Sequence, residues 1–287
     1  MKTVDHLLKN LILDQVGEQL YNGVSKSIGS PIVFGGQVIA QSLNAAYRSI
    51  TNGRILHSMH AYFLEAGQLD LPITYKVSIM REGGSFSTRR VTALQGEKVI
   101  FILAASFHKK ESGYDHQDPM PIKVKQPEEL LSWDDMLEQM GDFMPKQFKT
   151  FLEIDRPIMF KPSRINNPLE QEDLPPNLDV WFKLKGDTSE INYETCQQIL
   201  AYVSDYNVLT TALNPHASEA NYGNMQMASL DHSMWFFRAF DLNDWMLFSI
   251  ESPSASNARG FTRGHIYTRD GHLIASVCQE GLMRKRK

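Results

Sequence analysis

The stretch from Ile199 to Leu213, ILAYVSDYNVLTTAL, constrains the fold more than any other, because its residues predict a helix that is apolar on almost every face. A helix of that kind is normally wrapped by other structure. Asp205 falls on the side that carries small residues, beside Ala201 and Val208. A polar group buried there without a partner costs about 2–7 kcal/mol, and a charge costs more. Asp205 is therefore predicted to have polar partners, as a structural carboxylate or as part of a functional site.

Apolar periodicity predicts a similar order of elements in the two halves of the chain. In the first half, Gly35-Gly36 opens an enclosed helix from about Gln37 to Arg48, and four strands follow it: His57–Phe63, Ile73–Met80, Ser87–Leu94 and Val99–Phe107. In the second half, a helix from about Tyr193 to Leu213 precedes strands at Met225–Phe236, Met246–Ser252, Gly260–Thr268 and Leu273–Gly281. Shorter strands are predicted at Leu20–Ile28, Pro157–Pro162 and Val180–Leu184, the last two around a polar loop at Ser163–Pro176.

The shared order of elements predicts the fold class. In each half an enclosed helix is followed by a strand with a histidine, His60 or His232, and the half closes with a glycine hairpin and an apolar strand. Two helices, each cradled by a curved antiparallel sheet, form an α+β double hotdog. The predicted organisation is an N-terminal hotdog over residues 1–110, a connector with one surface helix over 111–150, and a C-terminal hotdog over 151–287.

Composition restricts the class of protein. The 287 residues are 42% hydrophobic and 22% charged, which is typical of a globular protein, and the net charge of −4 argues against nucleic-acid binding. The two cysteines, Cys196 and Cys278, are predicted to be buried free thiols in a reducing compartment. No run approaches the roughly 18 apolar residues of a membrane span. The N-terminus predicts a short amphipathic helix rather than a secretion signal, so a cytoplasmic location is expected.

Five blocks of sequence together resemble the acyl-CoA thioesterase II family. They are FGGQVIAQSLNAA from Phe34, HSMHAYFLEAG from His57, YVSDYN from Tyr202, the run Ser229 to Gly264 that begins SLDHSMWFF, and SVCQEGLMR from Ser276. The blocks span nearly the whole chain, and they are specific in combination. The resemblance implies a double hotdog in each subunit and assembly into a homo-oligomer, a dimer or a tetramer. It also implies hydrolysis of medium- and long-chain acyl-CoA with no metal and no other cofactor.

The resemblance further implies a catalytic trio of Asp205, Ser229 and Gln279. Ser229 stands where the family has a threonine, so the hydroxyl is kept but the methyl group that restricts its rotation is lost. Residue chemistry agrees with the trio, because the attacking water needs a proton acceptor, Asp205, and groups that hold it, Ser229 and Gln279. The positive end of the helix that begins near Gly35-Gly36 predicts Gly36 as a backbone donor to the thioester oxygen.

Several other polar residues are weaker candidates. His60 is predicted to be a core histidine or to line the substrate site, and Arg259 and Arg263 to meet the phosphates of coenzyme A or to form salt bridges. His57 and His60 would point to opposite sides of a strand, which argues against a metal pair. No G-x-S-x-G elbow occurs, so a covalent serine nucleophile is not expected.

Two alternative functions stay open on the sequence. The first is a hotdog hydratase or dehydratase of enoyl thioesters, whose chemistry usually needs a histidine paired with an acid in one pocket. Asp231-His232 offers such a pair in sequence, but adjacent strand residues point to opposite faces. The second alternative is a non-catalytic module that binds acyl-CoA.

Overall fold

The computed structural model describes residues 1–121, 123–144, 146–164, 172–221 and 223–286 of the protein, so residues 165–171 of the predicted loop Ser163–Pro176 lie outside the described residues. The α-helices are α1 (Val4–Leu11), α2 (Gly35–Tyr47), α3 (Trp133–Met140), α4 (Lys146–Leu152), α5 (Tyr193–Ser204) and α6 (Val208–Thr211). In the first half the strands are β1 (Asp14–Gly17), β2 (Leu20–Gly23), β3 (Ile55–Phe63), β4 (Ile73–Glu82), β5 (Phe86–Gln95) and β6 (Lys98–His108). In the second half they are β7 (Ile158–Pro162), β8 (Asn177–Leu184), β9 (Met225–Ser229), β10 (Asp231–Phe236), β11 (Met246–Ser256), β12 (Arg259–Thr268) and β13 (Leu273–Lys285).

One sheet of 13 strands joins the two halves through the antiparallel pair of β3 and β10. Outward from β3 the order is β6, β5, β4, β2 and β1, and outward from β10 it is β13, β12, β11, β8 and β7. β9 pairs separately with β13. The two halves therefore repeat one topology, as the similar order of predicted elements indicated.

The two long helices, α2 and α5, lie side by side within the curve of the sheet. Gly36 lies beside the backbone of Tyr202, and the Asn44 side chain donates to Oε1 of Gln198 (3.1 Å), so the helices run antiparallel. Nearly all of their residues are buried, and their apolar side chains belong to one core that extends through both halves. The predicted enclosed helices and the α+β arrangement of a double hotdog are therefore present.

The second helix is shorter than its periodicity predicts. α5 ends at Ser204, Asp205 occupies the C-cap position, and Asn207 has a left-handed φ of 65° before α6 begins. Asparagine adopts this conformation more easily than most residues do, because its short side chain tolerates it. Asp205 thus lies at the end of a helix rather than within one.

Two further predictions need correction. The predicted strand Met225–Phe236 is two strands, because Leu230 turns the chain and bonds to two neighbours: its N–H donates to Glu280 and its carbonyl accepts from Phe63. The connector contains two α-helices, α3 and α4, rather than one. None of the helices in the described part of the chain has the length and apolar character needed to cross a membrane.

We expect Gly36→Ala to destabilise the fold by about 1–3 kcal/mol, the usual cost of overpacking. A Cβ atom at this position would lie 2.4 Å from the carbonyl oxygen of Tyr202, so α2 and α5 would have to separate. Urea unfolding of the variant measures the loss. Gly84→Ala is the control, because a Cβ atom there meets nothing within 4 Å. Equal stability of the two variants would contradict the close packing of the helices.

Candidate active site

Asp205 lies where the C-terminal end of α5 meets the first turn of α2. A Cβ atom on Gly35 would lie 2.7 Å from Oδ2 of Asp205, so only a glycine leaves room for the carboxylate at this distance. Oδ1 of Asp205 is enclosed and has no hydrogen-bond partner among the described residues, although the residue as a whole is only partly buried. The structure therefore places one oxygen of a carboxylate in a desolvated position beside the N-terminus of a helix.

Opposing effects set the pKa of Asp205. Burial raises the pKa from 3.8 to about 7, while the backbone N–H of Gly36 and the side chain of Gln279 act in the opposite direction and lower it. At neutral pH the carboxyl group is thus close to its midpoint. A carboxylate with a pKa near the ambient pH is well matched to accept a proton from a bound water.

Ser229 and Gln279 reach the same position from neighbouring strands. β9 pairs with β13 in a register that sets Ser229 opposite Gly281, two residues beyond Gln279. Nε2 of Gln279 donates to Oγ of Ser229 (2.9 Å), and the same amide lies near enough to Asp205 to lower its pKa. The structure thus brings together Asp205, Ser229, Gln279 and Gly36, four of the residues singled out in the sequence.

His232 is a fourth side chain of this network, and its contacts were not foreseen from the sequence. It is fully buried, with Nδ1 2.5 Å from Oε1 of Gln279 and Nε2 2.9 Å from Oγ of Ser204. Burial lowers the pKa of its ring to about 4, so the ring is neutral at pH 7. The sequence does contain a signal that His232 is buried. The alternation of β10 places His232 on the same buried face as Met234 and Phe236.

The structure does not bring His60 to this position. His60 is exposed on the outer face of the sheet, where Nδ1 lies 3.1 Å from Oγ of Ser233 and the ring contacts Trp235 edge-on. His60 is opposite Ser233 in the ladder between β3 and β10, whereas the neighbouring His232 points inward. The interpretation of His60 as a core or substrate-site residue is corrected by this orientation.

Arg259 and Arg263 also lie outside the network. Nε of Arg259 is 2.9 Å from Oε1 of Glu280, and Nε of Arg263 is 2.5 Å from Oε1 of Glu251. These are the salt bridges that the sequence left open as the alternative to a role in coenzyme A binding.

The remaining candidates for nucleophile or acid–base chemistry do not pair with Asp205. Asp231 accepts from the backbone N–H of Glu280 and forms no dyad with His232. Cys196 is buried and Cys278 half-buried, and burial raises the pKa of both thiols, to about 11 for Cys196. Within the described ranges, no group of three or more potential metal ligands comes together.

The register of the sheet shows which residues correspond in the two halves. Met59 pairs with Met234 across β3 and β10, and His-Ser-Met occurs at both 57–59 and 232–234. The counterpart of His232 is therefore His57 rather than His60. A bulge between Leu56 and Ser58 displaces His57, whose Nε2 bonds to Ser106 instead of to the interior.

The second junction of α2 with α5 is filled by large side chains. Met59 pairs with Ala105 in the first half, and Met234 pairs with Val277 in the second, so Ala105 corresponds to Val277. Two residues further along each strand, Phe107 therefore corresponds to Gln279. The Phe107 ring packs edge-on against Tyr47 at 4.9 Å. The Tyr47 hydroxyl donates to Gln197 and accepts from the N–H of Leu56. This junction is closed, with its polar groups paired.

Comparison with known proteins gives matches along nearly the whole chain. Residues 148–282 match the family model of acyl-CoA thioesterase, and residues 24–108 match the model of the acyl-CoA thioesterase N-terminal domain. The chain is 41% identical to acyl-CoA thioesterase 2 of Haemophilus influenzae, over 97% of this chain and 96% of that protein. It is 38% identical to human acyl-coenzyme A thioesterase 8, over 96% of this chain and 87% of that protein.

Solved structures agree with these matches. The acyl-CoA thioesterase II TesB2 from Mycobacterium marinum superposes with a TM-score of 0.79 at 33% identity, over 97% of this chain and 98% of that one. A hot dog protein from Alicyclobacillus acidocaldarius superposes with a TM-score of 0.77 at 14% identity, over 97% of each chain, and supports the fold alone. The double hotdog predicted from the sequence is thereby confirmed.

The raised pKa of Asp205 predicts a pH-dependent cost to stability. Because its pKa is 3.8 unperturbed and about 7 in the folded protein, the folded state binds a proton that the unfolded state has lost between about pH 4 and pH 7, so stability falls as pH rises. We expect Asp205→Asn to be more stable than wild type by roughly 2–4 kcal/mol at pH 8, at about 1.4 kcal/mol per pKa unit.

Chemical unfolding at pH 4 to 8 tests this, and the gain should shrink toward pH 4. Asp187→Asn is the control, because a hydrogen bond from the backbone N–H of Ser189 lowers the pKa of Asp187. That variant should be less stable than wild type by an amount that is nearly constant over this range, because the linkage of a carboxyl with a lowered pKa lies around and below its unperturbed value of 3.8. A gain for Asp205→Asn that did not depend on pH would contradict the assigned pKa.

Proposed function

Because the chain belongs to the acyl-CoA thioesterase II family and is a thioester hydrolase, we propose that it hydrolyses medium- to long-chain fatty acyl-CoA to a free fatty acid and coenzyme A, with water activated by Asp205. One observation carries the catalytic assignment. A single carboxylate with a pKa near neutrality lies at the junction of α2 and α5, within reach of the Gln279 amide and the end of α2.

Asp205 is the proton acceptor in this proposal. The oxygen of a water molecule held by Ser229 and Gln279 attacks the thioester carbonyl carbon, and its proton passes to the carboxylate. The tetrahedral intermediate then collapses, the carbon–sulfur bond breaks, and the sulfur leaves as the thiolate of coenzyme A. The proton held by Asp205 returns to that sulfur, so the carboxylate is regenerated without a covalent acyl-enzyme.

The N-terminus of α2 stabilises negative charge on the Asp205 carboxylate and on the thioester oxygen of the substrate. The first amides that donate within α2 are those of Gln37 and Val38, both to the carbonyl of Phe34. The N–H of Gly36 precedes them and already acts on the Asp205 carboxylate. A thioester oxygen that approaches this end of the helix meets the same partial positive charge as its own negative charge develops.

Aromatic residues beside the carboxylate support an acyl chain of substantial length. The ring of Phe34 lies 4.6 Å from that of Tyr206, the residue after Asp205, and Tyr206 in turn lies 5.2 Å from Phe160. Trp133 of the connector continues this series, 4.6 Å from Phe160. Tyr206 and Phe160 are buried in the core, so the series is an apolar path that leads away from the proposed catalytic carboxylate, and a fatty acyl group would lie along it.

The proposal does not need a histidine paired with an acid, which a hydratase of enoyl thioesters usually uses. Among the described residues no hydrogen bond joins a histidine to Asp205 or Asp231. His232 is occupied by Ser204 and Gln279.

Asp205→Asn should lower turnover at least about 100-fold, the scale lost when a general base is removed. The assay is thiol release from saturated acyl-CoA substrates of short to long chain, which also measures the proposed chain-length preference. Asp231→Asn is the matched control, because it makes the same chemical change on the outer face of β10 and should leave turnover unchanged. Full activity of Asp205→Asn would remove the proposed mechanism.

Two substitutions of Ser229 separate the effect of its hydroxyl on catalysis from the effect of an added methyl group. We expect Ser229→Ala to lower kcat about tenfold, equivalent to one hydrogen bond of about 1.4 kcal/mol, because the acceptor for Nε2 of Gln279 and a ligand of the water are lost. Ser229→Thr keeps the hydroxyl and should stay within about threefold of wild type. Equal losses in both variants would show that side-chain size, and not the hydroxyl, determines activity.

A further inference from the structure

His232 lies behind the proposed catalytic residues and, among them, hydrogen-bonds to Gln279. Its two ring nitrogens are engaged, Nδ1 by Oε1 of Gln279 and Nε2 by Oγ of Ser204, and none of its side chain is exposed. The ring therefore has no access to a substrate. Its contact with the proposed catalytic trio is the hydrogen bond to Gln279, and Ser204, its other partner, directly precedes Asp205.

The hydrogen bonds limit the protonation of this ring. Burial holds the pKa of His232 at about 4, so a single proton is shared between two nitrogens at neutral pH. The Ser204 hydroxyl lies 2.9 Å from Nε2 and 2.9 Å from the carbonyl oxygen of Ala201, and it has one hydrogen to donate. If the ring proton is on Nδ1, Gln279 presents its oxygen to His232. If it is on Nε2, the Gln279 amide must be reversed.

The carboxylate of Asp205 distinguishes the two arrangements. The hydroxyl of Ser229 can either donate or accept, so it is compatible with both orientations of the Gln279 amide. An ionised carboxylate accepts only, so a reversed amide would direct Oε1 of Gln279 toward another negative oxygen. Losing the hydrogen bond from Ser204 to the carbonyl of Ala201 is the smaller cost, since both partners are neutral.

We propose that His232 is a positioning residue: as the neutral Nδ1–H tautomer it donates to Oε1 of Gln279 and thereby directs Nε2 of Gln279 toward Ser229 and Asp205. The proposal rests on the proposed function, in which Gln279 holds the attacking water. The last turn of α5 takes part in the same arrangement, because Ser204 donates to Nε2 of His232 and keeps the proton on Nδ1. One hydrogen-bonded series thus connects the end of α5 to the carboxylate that follows it.

This arrangement predicts which variant disturbs Asp205. Without a donor at position 232, the Gln279 amide can rotate, and the interaction that lowers the pKa of Asp205 is lost for part of the time. The pKa of the carboxyl should then rise, and the acid limb of the kcat profile should move to higher pH. A residue that only filled space would lower kcat without moving that limb.

The groups around Asp205 leave this readout unambiguous. On its own segment, burial raises the pKa of Tyr206 to about 12 and holds that of Tyr202 well above its usual value, so both stay neutral through the range of the assay. Arg156 lies near these tyrosines and stays charged, although burial lowers its pKa. Asp205 is therefore the group on this segment that titrates between pH 5 and pH 9.

The other elements that reach Asp205 contribute no titratable group in the described part of the chain. α2 faces it with Gly35 and Gly36, β3 with the ring of Phe63 near Gly35, and β13 with Gln279. His232, behind Gln279, is neutral over the same range because its pKa is about 4. A shift of the acid limb can then be assigned to the interaction of Gln279 with Asp205.

Two substitutions of equal shape test the proposal. His232→Asn places an amide N–H near the position of Nδ1, whereas His232→Leu has the same branching without a donor. We expect His232→Leu to lower kcat about 10- to 100-fold, the scale of a misplaced catalytic group, with KM nearly unchanged and the acid limb raised by roughly half a unit to one unit. His232→Asn should stay within about threefold of wild type, with its acid limb unmoved. Equal losses in both variants with no shift, or full activity of His232→Leu, would overturn the proposal.

A double-mutant cycle separates this proposal from the proposed function. His232→Leu should add no further loss in a Gln279→Ala background, because the effect passes through Gln279. A further loss of similar size there would overturn the positioning role. If Gln279→Ala alone left turnover unchanged, the assigned catalytic trio would fail instead.

Nitrogen NMR of the wild-type ring supplies a measurement that does not depend on the folding of any His232 variant. The signal of His232 is identified as the histidine ring that changes in Gln279→Ala. A protonated Nδ1 and an unprotonated Nε2 between pH 5 and pH 8 are expected. A proton on Nε2, or a charged ring, would overturn the proposal.

Discussion

The close approach of two antiparallel helices determines the environment of the Asp205 carboxylate at the proposed site. Gly36 lets the first turn of α2 contact the backbone of Tyr202, and Gly35 leaves room for Oδ2 of Asp205. The approach removes water from the carboxylate and at the same time supplies the positive end of a helix. The two effects oppose each other, and their balance leaves the pKa of Asp205 near neutrality. A wider separation of the helices would weaken both effects.

The sheet brings the remaining groups to the same junction. β13 pairs with β9, β10 and β12, so one strand carries Gln279 into contact with residues of its neighbours. Ser229 is the last residue of β9, and His232 is the second residue of β10. The turn at Leu230 between the two strands allows both side chains to reach Gln279 from different directions. The site therefore depends on long-range register, which no single segment of the sequence determines.

The sequence predicted the elements of the fold better than it predicted the orientations of individual side chains. Alternation and helical periodicity located most strands and both enclosed helices, because burial of one face imposes those patterns. The end of the helix at Asp205 was not predicted, because the apolar residues on both sides still suit a helix. The left-handed turn at Asn207 depends on tertiary structure rather than on local sequence. His60 was matched with His232 for a related reason: the bulge between Leu56 and Ser58 changes which residue faces inward, and it leaves no local signal.

The two junctions of α2 with α5 differ in how their polar groups are paired. At the closed junction, Phe107 fills the place of Gln279 and the Tyr47 hydroxyl is paired with Gln197, so its polar groups are satisfied. At the other junction, Oδ1 of Asp205 is enclosed without a partner among the described residues, an arrangement that weakens the folded state. Local instability of this kind is tolerated where the group has a role in chemistry. The asymmetry between the closed junction and the junction at Asp205 therefore supports the proposed role of Asp205.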